Sequence, residues 1–541
     1  MSIISDLKNE HWWQDAVIYQ IYPRSFCDSN GDGIGDIPGI ISKLDYLQKL
    51  GVGAIWLSPV YVSPDADNGY DIADYRSIDP KFGTMADFDR LVLEAGKRGI
   101  KIIMDLVINH TSIEHEWFQK SRKRVKGYED YYIWRNKPNN WGGFFGGGTW
   151  DYDPVRKQWY LHLFAKEQPD LNWHCPAVMA EVQEILRFWL RRGVAGFRCD
   201  VINILWKNTL ENGKKKPILT GLEHYHSTEG CHELLRTLQR EVFAEYDAFT
   251  VGETVFVTPQ LGRDLCEDYR KELSEIFSFE HMETDQVLVK WFKTRFHPEK
   301  FYAALVKWQK GLTWNSLYFE NHDQPRSVSR FGDDGPEYHD RSAKALATLL
   351  LTLRGTPFIY EGQEIGMTNF DFTSMDEVRD VESRNIWGIA QKLGIPGKKR
   401  WKMIAATSRD NARTPMQWSG EVNGGFSAAT PWLGVNKNYV NLNAASQEDD
   451  PESVLNWYRR MIALRAENDA LRRGSFEALE VGKQVFAFRR TAGEERTVTV
   501  VNLSGKPAKS DCRGAVLADN CGKNYFDGAL APWQAVVMKE A

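Results

Sequence analysis

Short runs of β-branched and aromatic residues recur along this chain, and most are followed by a stretch of helix length. The runs predict strands at residues 16–23, 54–59, 101–109, 195–201, 249–253, 275–279, 316–321 and 357–361. Helical patterns fill the spaces between them, for example at 85–98, 177–192 and 341–354. Strands that alternate with helices argue for a parallel sheet, and eight such units argue for closure into a (β/α)₈ TIM barrel, an α/β fold. The strand runs are nearly continuous in apolar residues, as expected where helices cover the outer face.

Two regions depart from this rhythm. Residues 111–176 are rich in Trp, Gly, Tyr and Asn, including Trp141-Gly-Gly-Phe-Phe-Gly-Gly-Gly148. A connection of that length is expected to be functional or a small unit of its own, here an inserted B subdomain after strand three. After about residue 472 short alternating runs, such as 484–490 and 496–502, predict a C-terminal antiparallel β domain. The expected division is a barrel from 1–110 and 177–472, an insertion at 111–176, and a β-sandwich at 473–541.

Composition narrows the function. A chain of 541 residues exceeds one compact core, and 42% hydrophobic with 26% charged residues is ordinary for a globular protein. The net charge of −5, with only short basic runs such as Lys398-Lys399-Arg400, gives no footprint for a nucleic-acid partner. Met1 to Trp13 lacks a basic segment leading into an apolar run, and no later stretch reaches the ~18 apolar residues of a membrane span. Seven cysteines without CxxC spacing read as free thiols in a reducing cytoplasm. The 20 tryptophans are expected mostly in the core, with some on loops where rings stack on sugars.

Polar residues gather where the apolar runs stop. They are Asp105, Asn109 and His110 on strand three, Arg198 and Asp200 on strand four, Glu253 on strand five, and Asn321, His322 and Asp323 on strand seven. The C-terminal strand ends of a (β/α)₈ barrel form its active-site face. Four carboxylates, two histidines and an arginine are therefore expected at one mouth. A separate loop, Asp28-Ser-Asn30-Gly-Asp32-Gly-Ile34-Gly-Asp36, alternates oxygen donors with glycines, as a hard cation requires. It is no EF-hand, because position twelve is Gly39. A metal-free Asx-rich turn is the alternative.

Over almost its whole length the sequence resembles the α-amylase superfamily, glycoside hydrolase family 13. The motifs are Asp105-Leu-Val-Ile-Asn-His110, Gly196-Phe-Arg-Cys-Asp200, the run around Glu253, and Glu320-Asn-His-Asp323. Gln168-Pro-Asp-Leu-Asn172 is similar to the oligo-1,6-glucosidase branch. The resemblance implies that Asp200 is the nucleophile, Glu253 the acid/base and Asp323 the transition-state stabiliser. A retaining mechanism needs two carboxyls about 5–5.5 Å apart, one attacking and one protonating the leaving oxygen. Arg198 is expected to lower the pKa of Asp200, while His110 and His322 donate to sugar hydroxyls.

The resemblance implies further sites. Asp71 and Arg413 look like the family's pair that grips the terminal glucose, with Tyr70 as a stacking platform, which would make the enzyme exo-acting. Val201 resembles the residue of α-1,6-active members. Related oligoglucosidases place a structural Ca²⁺ in a loop like 28–36, with Asp28, Asn30, Asp32, Asp36 and the Ile34 carbonyl as ligands; no cofactor is expected for catalysis. The expected partner is a small isomaltose-like oligosaccharide. Rivals on the same scaffold are a trehalose-6-phosphate hydrolase, for which Lys207 and Lys214, Lys215 and Lys216 offer charge, and a sucrose isomerase. For the isomerase, Lys293, Arg295 and Lys300 in 280–312 are too dispersed. A more distant rival is a non-catalytic protein of the transporter heavy-chain type, which lacks the catalytic carboxylates.

Overall fold

The computed structural model describes residues 11–540. Most of the Met1–Trp13 stretch weighed as a leader lies outside them. Eight strands form one parallel sheet: β1 (Ile18–Ile21), β2 (Ala54–Leu57), β3 (Lys101–Leu106), β4 (Gly196–Cys199), β5 (Phe249–Glu253), β6 (Glu275–Phe277), β7 (Ser316–Leu317) and β8 (Thr356–Tyr360). Their order is β6-β5-β4-β3-β2-β1-β8-β7, which winds the chain into a near-closed barrel. Backbone ladders join every neighbour in that order in parallel, and none joins β6 to β7. A buried carboxyl crosses that seam instead. Glu275 at the start of β6 accepts from Ser316 Oγ on β7 at 2.7 Å and from Thr356 Oγ1 on β8 at 2.5 Å.

The strands are buried on both faces, which is why their sequences read as unbroken apolar runs. The helix Met85–Lys97 shows how the outer layer is specified. Thr84 and Asp87 make a capping box, and Phe88, Leu91 and Ala95 turn inward at helical spacing. The expected strands 16–23 and 316–321 are shorter in the structure, at Ile18–Ile21 and Ser316–Leu317; the first stops where the helix Pro23–Phe26 begins.

Between β3 and the helix Pro176–Leu190 the chain folds a three-stranded antiparallel sheet, with Gln158–Leu161 between Trp134–Arg135 and Trp150–Asp153. Trp141 and Trp150 sit in a small core with Leu161, Val201 and Tyr225, so these tryptophans serve packing. Five antiparallel strands from Ser475–Val481 to Ala535–Lys539 form a separate C-terminal sheet. All seven cysteines are free. No helix among the described residues is long and apolar enough to cross a membrane.

Candidate active site

The barrel brings the expected strand-end residues to one mouth, organised around two groups of arginines. The first is Arg198 alone, 3% exposed, on β4. Its Nη1 donates to Asp105 at 2.6 Å and to Asp200 at 2.7 Å, and its Nη2 donates to Glu253 at 2.5 Å. The guanidinium lies over the rings of Trp56 and Tyr70, 5.4 and 5.6 Å from their centroids. Arg198 thus holds Asp200 and Glu253 on the two terminal nitrogens of one guanidinium. Two carboxyls held side by side on one guanidinium suit the short spacing of a retaining pair, about 5 Å.

Three carboxylates facing one guanidinium cannot all ionise without strong repulsion. Burial pushes Asp105 up to about 6, with Arg198 pulling the other way. Burial also pushes Asp200 well above the usual carboxylate range; Arg198 opposes this, while Glu253 and Asp105 add to it. Arg198 lowers the Asp200 pKa as expected, but desolvation and the neighbouring carboxylates outweigh it. A proton belongs to this cluster as a whole.

Val201 follows Asp200 in a left-handed conformation, φ 37° and ψ 41°, which is rare for a β-branched residue. Its side chain is buried among Ile204, Trp141 and Tyr225, and its N–H lies 3.4 Å from Glu253 Oε2. The strained turn, just beyond β4, follows Asp200 and directs a backbone donor at Glu253.

The second group is Arg409 and Arg413, four residues apart around the short helix Asp410–Arg413. Arg413 donates from Nη2 to Asp323 at 2.5 Å and from Nε to the His322 carbonyl at 2.9 Å. Arg409 donates to Asp67 at 3.0 Å and to Asp380 at 2.8 Å, and stands 3.6 Å from Asp323. Burial opposes ionisation of Asp323, but His322, Arg409 and Arg413 hold its carboxyl well below the usual range. Half-open at the mouth, Asp323 is ready to accept from a ligand.

This arrangement corrects the expected Asp71–Arg413 pair. Asp71 is fully buried and accepts from Ser63 Oγ, Ala66 N and Asp67 N, so it braces its own turn. Arg413 is turned to Asp323. The ion pair beside the mouth is Asp67–Arg409, one helical turn away from both expected residues. The paired spacing Asp67/Asp71 and Arg409/Arg413 was visible in the sequence, but not which member of each faced inward.

The aromatic and histidine positions come together as expected, with different partners. Tyr70 donates to Asp105 at 3.1 Å, contacts His322 Nε2 at 2.7 Å and stacks on the His322 ring at 5.3 Å. His322 Nδ1 meets Gln20 at 2.8 Å, and burial pushes its pKa down to about 3. His110 is buried against the Tyr70 carbonyl at 3.1 Å, and burial brings it down to about 4. Gln168, from the loop motif, reaches Asp67 at 3.3 Å.

Lys207 is not available to a phosphate. Its Nζ is buried against Asp170 at 2.7 Å and Asn109 Oδ1 at 2.8 Å, with two carbonyls completing its shell. Behind the mouth Arg326 ties two strand ends to the helix Asp410–Arg413, donating to Glu320 at 3.1 Å, the Glu361 carbonyl at 2.6 Å and the Ala412 carbonyl at 3.0 Å.

The loop of residues 28–36 folds onto its own backbone. Asp28 accepts from the N–H groups of Asn30, Gly31 and Gly33 and from Ser427 Oγ. Asn30 accepts from Asp32 N and Asp32 from Ile34 N, while Asp36 caps the helix Ile37–Ser42. The donor types suit Ca²⁺. Their arrangement is that of an Asx-turn ladder, and no group of three or more His, Cys, Asp or Glu among the described residues is placed to hold a metal ion.

Comparison with known proteins agrees with this geometry. Residues 20–474 match the model of the alpha-amylase catalytic domain. The chain is 49% identical to the oligo-1,6-glucosidase of Parageobacillus thermoglucosidasius, covering 92% of this chain and 91% of that one. The crystal structure of the trehalose-6-phosphate hydrolase of Bacillus licheniformis superposes with a TM-score of 0.93 at 41% identity, over 98% of this chain and 99% of that one. The isomaltulose synthase of Klebsiella sp. LX3 gives the same TM-score and identity, over 98% and 100%. Matched by the catalytic-domain model over most of its length, and by relatives along nearly all of it, the chain belongs to the alpha-amylase family of glycoside hydrolases.

Proposed function

We propose that this enzyme is a retaining, exo-acting α-glucosidase that releases glucose from the non-reducing end of short gluco-oligosaccharides, with preference for α-1,6 links. The observation that carries the reading is that one guanidinium, Arg198, holds both Asp200 and Glu253, beside the Asp67–Arg409 ion pair. Asp200 attacks the anomeric carbon, forming a glycosyl ester as the glycosidic C–O bond breaks. Glu253 gives its proton to the leaving oxygen, then takes one from the water that cleaves the ester. Asp323, held ionised, accepts from sugar hydroxyls as oxocarbenium character grows. Asp67 and Arg409 hold the hydroxyls of the terminal glucose.

The 49% identity to an oligo-1,6-glucosidase supports the linkage, as does the engagement of Lys207 inside the protein, which removes the strongest support for a phosphate subsite. Seven free thiols support a cytoplasmic location. The test is glucose release by the purified enzyme from isomaltose, maltose and trehalose 6-phosphate in parallel. Fast release from isomaltose alone is expected. Preference for maltose overturns the linkage, and activity only on the phosphorylated sugar overturns the substrate class.

A structural Ca²⁺ in the loop of Asp28, Asn30, Asp32, Ile34 and Asp36 is proposed separately. Binding must draw these oxygens off the backbone N–H groups, and a ligand for the folded state raises Tm by mass action. Millimolar Ca²⁺ is expected to raise Tm and EDTA to lower it; an unmoved Tm leaves the loop a metal-free turn.

A further inference from the structure

A cavity of about 400 Å³ lies apart from the mouth, between the inserted sheet and the chain that follows β4; none of the candidate catalytic or glucose-gripping residues lines it. Within it two guanidiniums converge on one neutral oxygen. Arg124 Nη2 and Arg156 Nε both donate to Gln158 Oε1, at 3.0 and 2.9 Å. Arg156 is only 7% exposed. Its Nη1 is held by the Ser121 and Glu129 carbonyls at 2.6 and 2.8 Å, and its Nη2 has no hydrogen-bond partner among the described residues. Neither arginine has an ion-pair partner there, whereas nearby Arg122 pairs with Asp153 at 2.7 Å. Burial, and then the Arg124 charge, lowers the Arg156 pKa, against the weaker pull of Asp130, Glu129 and Asp153.

Two adjacent like charges, one of them buried, are costly unless an anion completes them. Forked donors on neighbouring arginines match phosphate oxygens. The cavity is not uniformly basic, because Asp130, whose charge acts on Arg156 without a direct ion pair, also lines it, with Asn208 and His174. Lys207 adds no free charge, being neutralised by Asp170. A carboxylate and an amide beside a phosphate site would reject a bare anion but accept from, or donate to, sugar hydroxyls. The volume suits a ligand of that size.

We propose that this cavity is a second, non-catalytic site for a phosphate monoester of a small sugar, its phosphate across Arg124 and Arg156 and its hydroxyls on Asp130 and Asn208. The test is calorimetric titration of the full chain with glucose 6-phosphate, inorganic phosphate and glucose, repeated in excess glucose to fill the mouth. Glucose 6-phosphate is expected to bind saturably in excess glucose, at least tenfold tighter than inorganic phosphate. Arg124→Gln, at an exposed position, should weaken it at least tenfold while leaving isomaltose turnover unchanged. Asp130→Asn should tighten inorganic phosphate and erase the preference for the sugar. Absence of saturable binding, displacement by glucose, or unaltered binding in Arg124→Gln would overturn the site. Equal affinity for inorganic phosphate would overturn its sugar half.

Discussion

The two sides of the mouth solve opposite electrostatic problems with the same residue types. Around Arg198, three carboxylates face one guanidinium, and Asp105 and Asp200 are pushed up. Around Arg409 and Arg413, two guanidiniums face Asp67, Asp323 and Asp380, and the last two are held well below the usual range. Asp67 goes up there, as do Glu382 and Asp410, because burial outweighs the arginines. For Asp323 and Asp380 the paired guanidiniums outweigh depth, and for Asp67 depth wins. One side keeps a movable proton for bond cleavage, and the other keeps fixed negative charge for holding the sugar.

The largest effect expected from breaking this contrast is on the proton-bearing side. Asp200→Asn removes the attacking oxygen's charge and should lower kcat by about 10⁴ or more. It also relieves the repulsion inside the cluster, so Tm should hold or rise. Glucose release from isomaltose together with a melting curve checks both. Turnover near wild type would take Asp200 out of the nucleophile role.

On the anion-holding side the effect is smaller and falls on affinity. Arg409→Lys replaces a fork that serves Asp67 and Asp380 with a single ammonium. A loss of about 2 kcal/mol, roughly 30-fold in kcat/KM, is expected, mainly through KM. Asp71→Asn, which alters only a buried turn, should lower Tm and leave KM nearly unchanged. The reverse pattern would return the grip to Asp71 and Arg413.

A third acid isolates burial from arginine altogether. Glu275, bridging the β6–β7 seam, has only hydroxyl and indole donors around it, and burial pushes it up to about 8. A raised carboxyl pKa means that the stability contributed by its protonated form is full below the unfolded value near 4.5 and is lost as pH rises through about 8. The wild type should therefore lose up to a few kcal/mol from this group between pH 5 and 8. Glu275→Gln should flatten that part of the Tm–pH curve. An unchanged slope would mean that the seam acid is ionised throughout.

The barrel, the inserted segment and the C-terminal sheet were legible in the sequence because apolar runs and helical spacing repeat at fold scale. The strand-end residues Asp105, His110, Arg198, Asp200, Glu253, His322 and Asp323 were legible because the C-terminal ends of barrel strands converge whatever their loops do. Asp67 and Arg409 were not. Each lies on a turn with a like residue four positions away, and only the packed loops decide which one faces the mouth. The seam closed by Glu275 was equally hidden, since a buried glutamate looks like any polar residue starting a strand. Nor did spacing reveal the Arg124–Arg156 convergence, whose residues come from a helix end and a strand turn of the inserted segment.

The smallest effect tests where the two sides meet the bound sugar. Val201 holds a left-handed backbone worth roughly 1–3 kcal/mol of strain, kept in place by its packing against the inserted segment. Val201→Ala removes that packing next to Glu253, and should raise the maltose-to-isomaltose ratio of kcat/KM by about tenfold, the scale of one or two methyl groups in a specificity pocket. Val201→Gly removes both the packing and the strain. If side-chain bulk sets the linkage, both variants shift the ratio alike. If the strained turn sets it by aiming the backbone N–H at Glu253, only the glycine variant shifts the ratio, and its kcat falls with it. An unchanged ratio in both would move linkage choice away from β4 to the loops of the inserted segment.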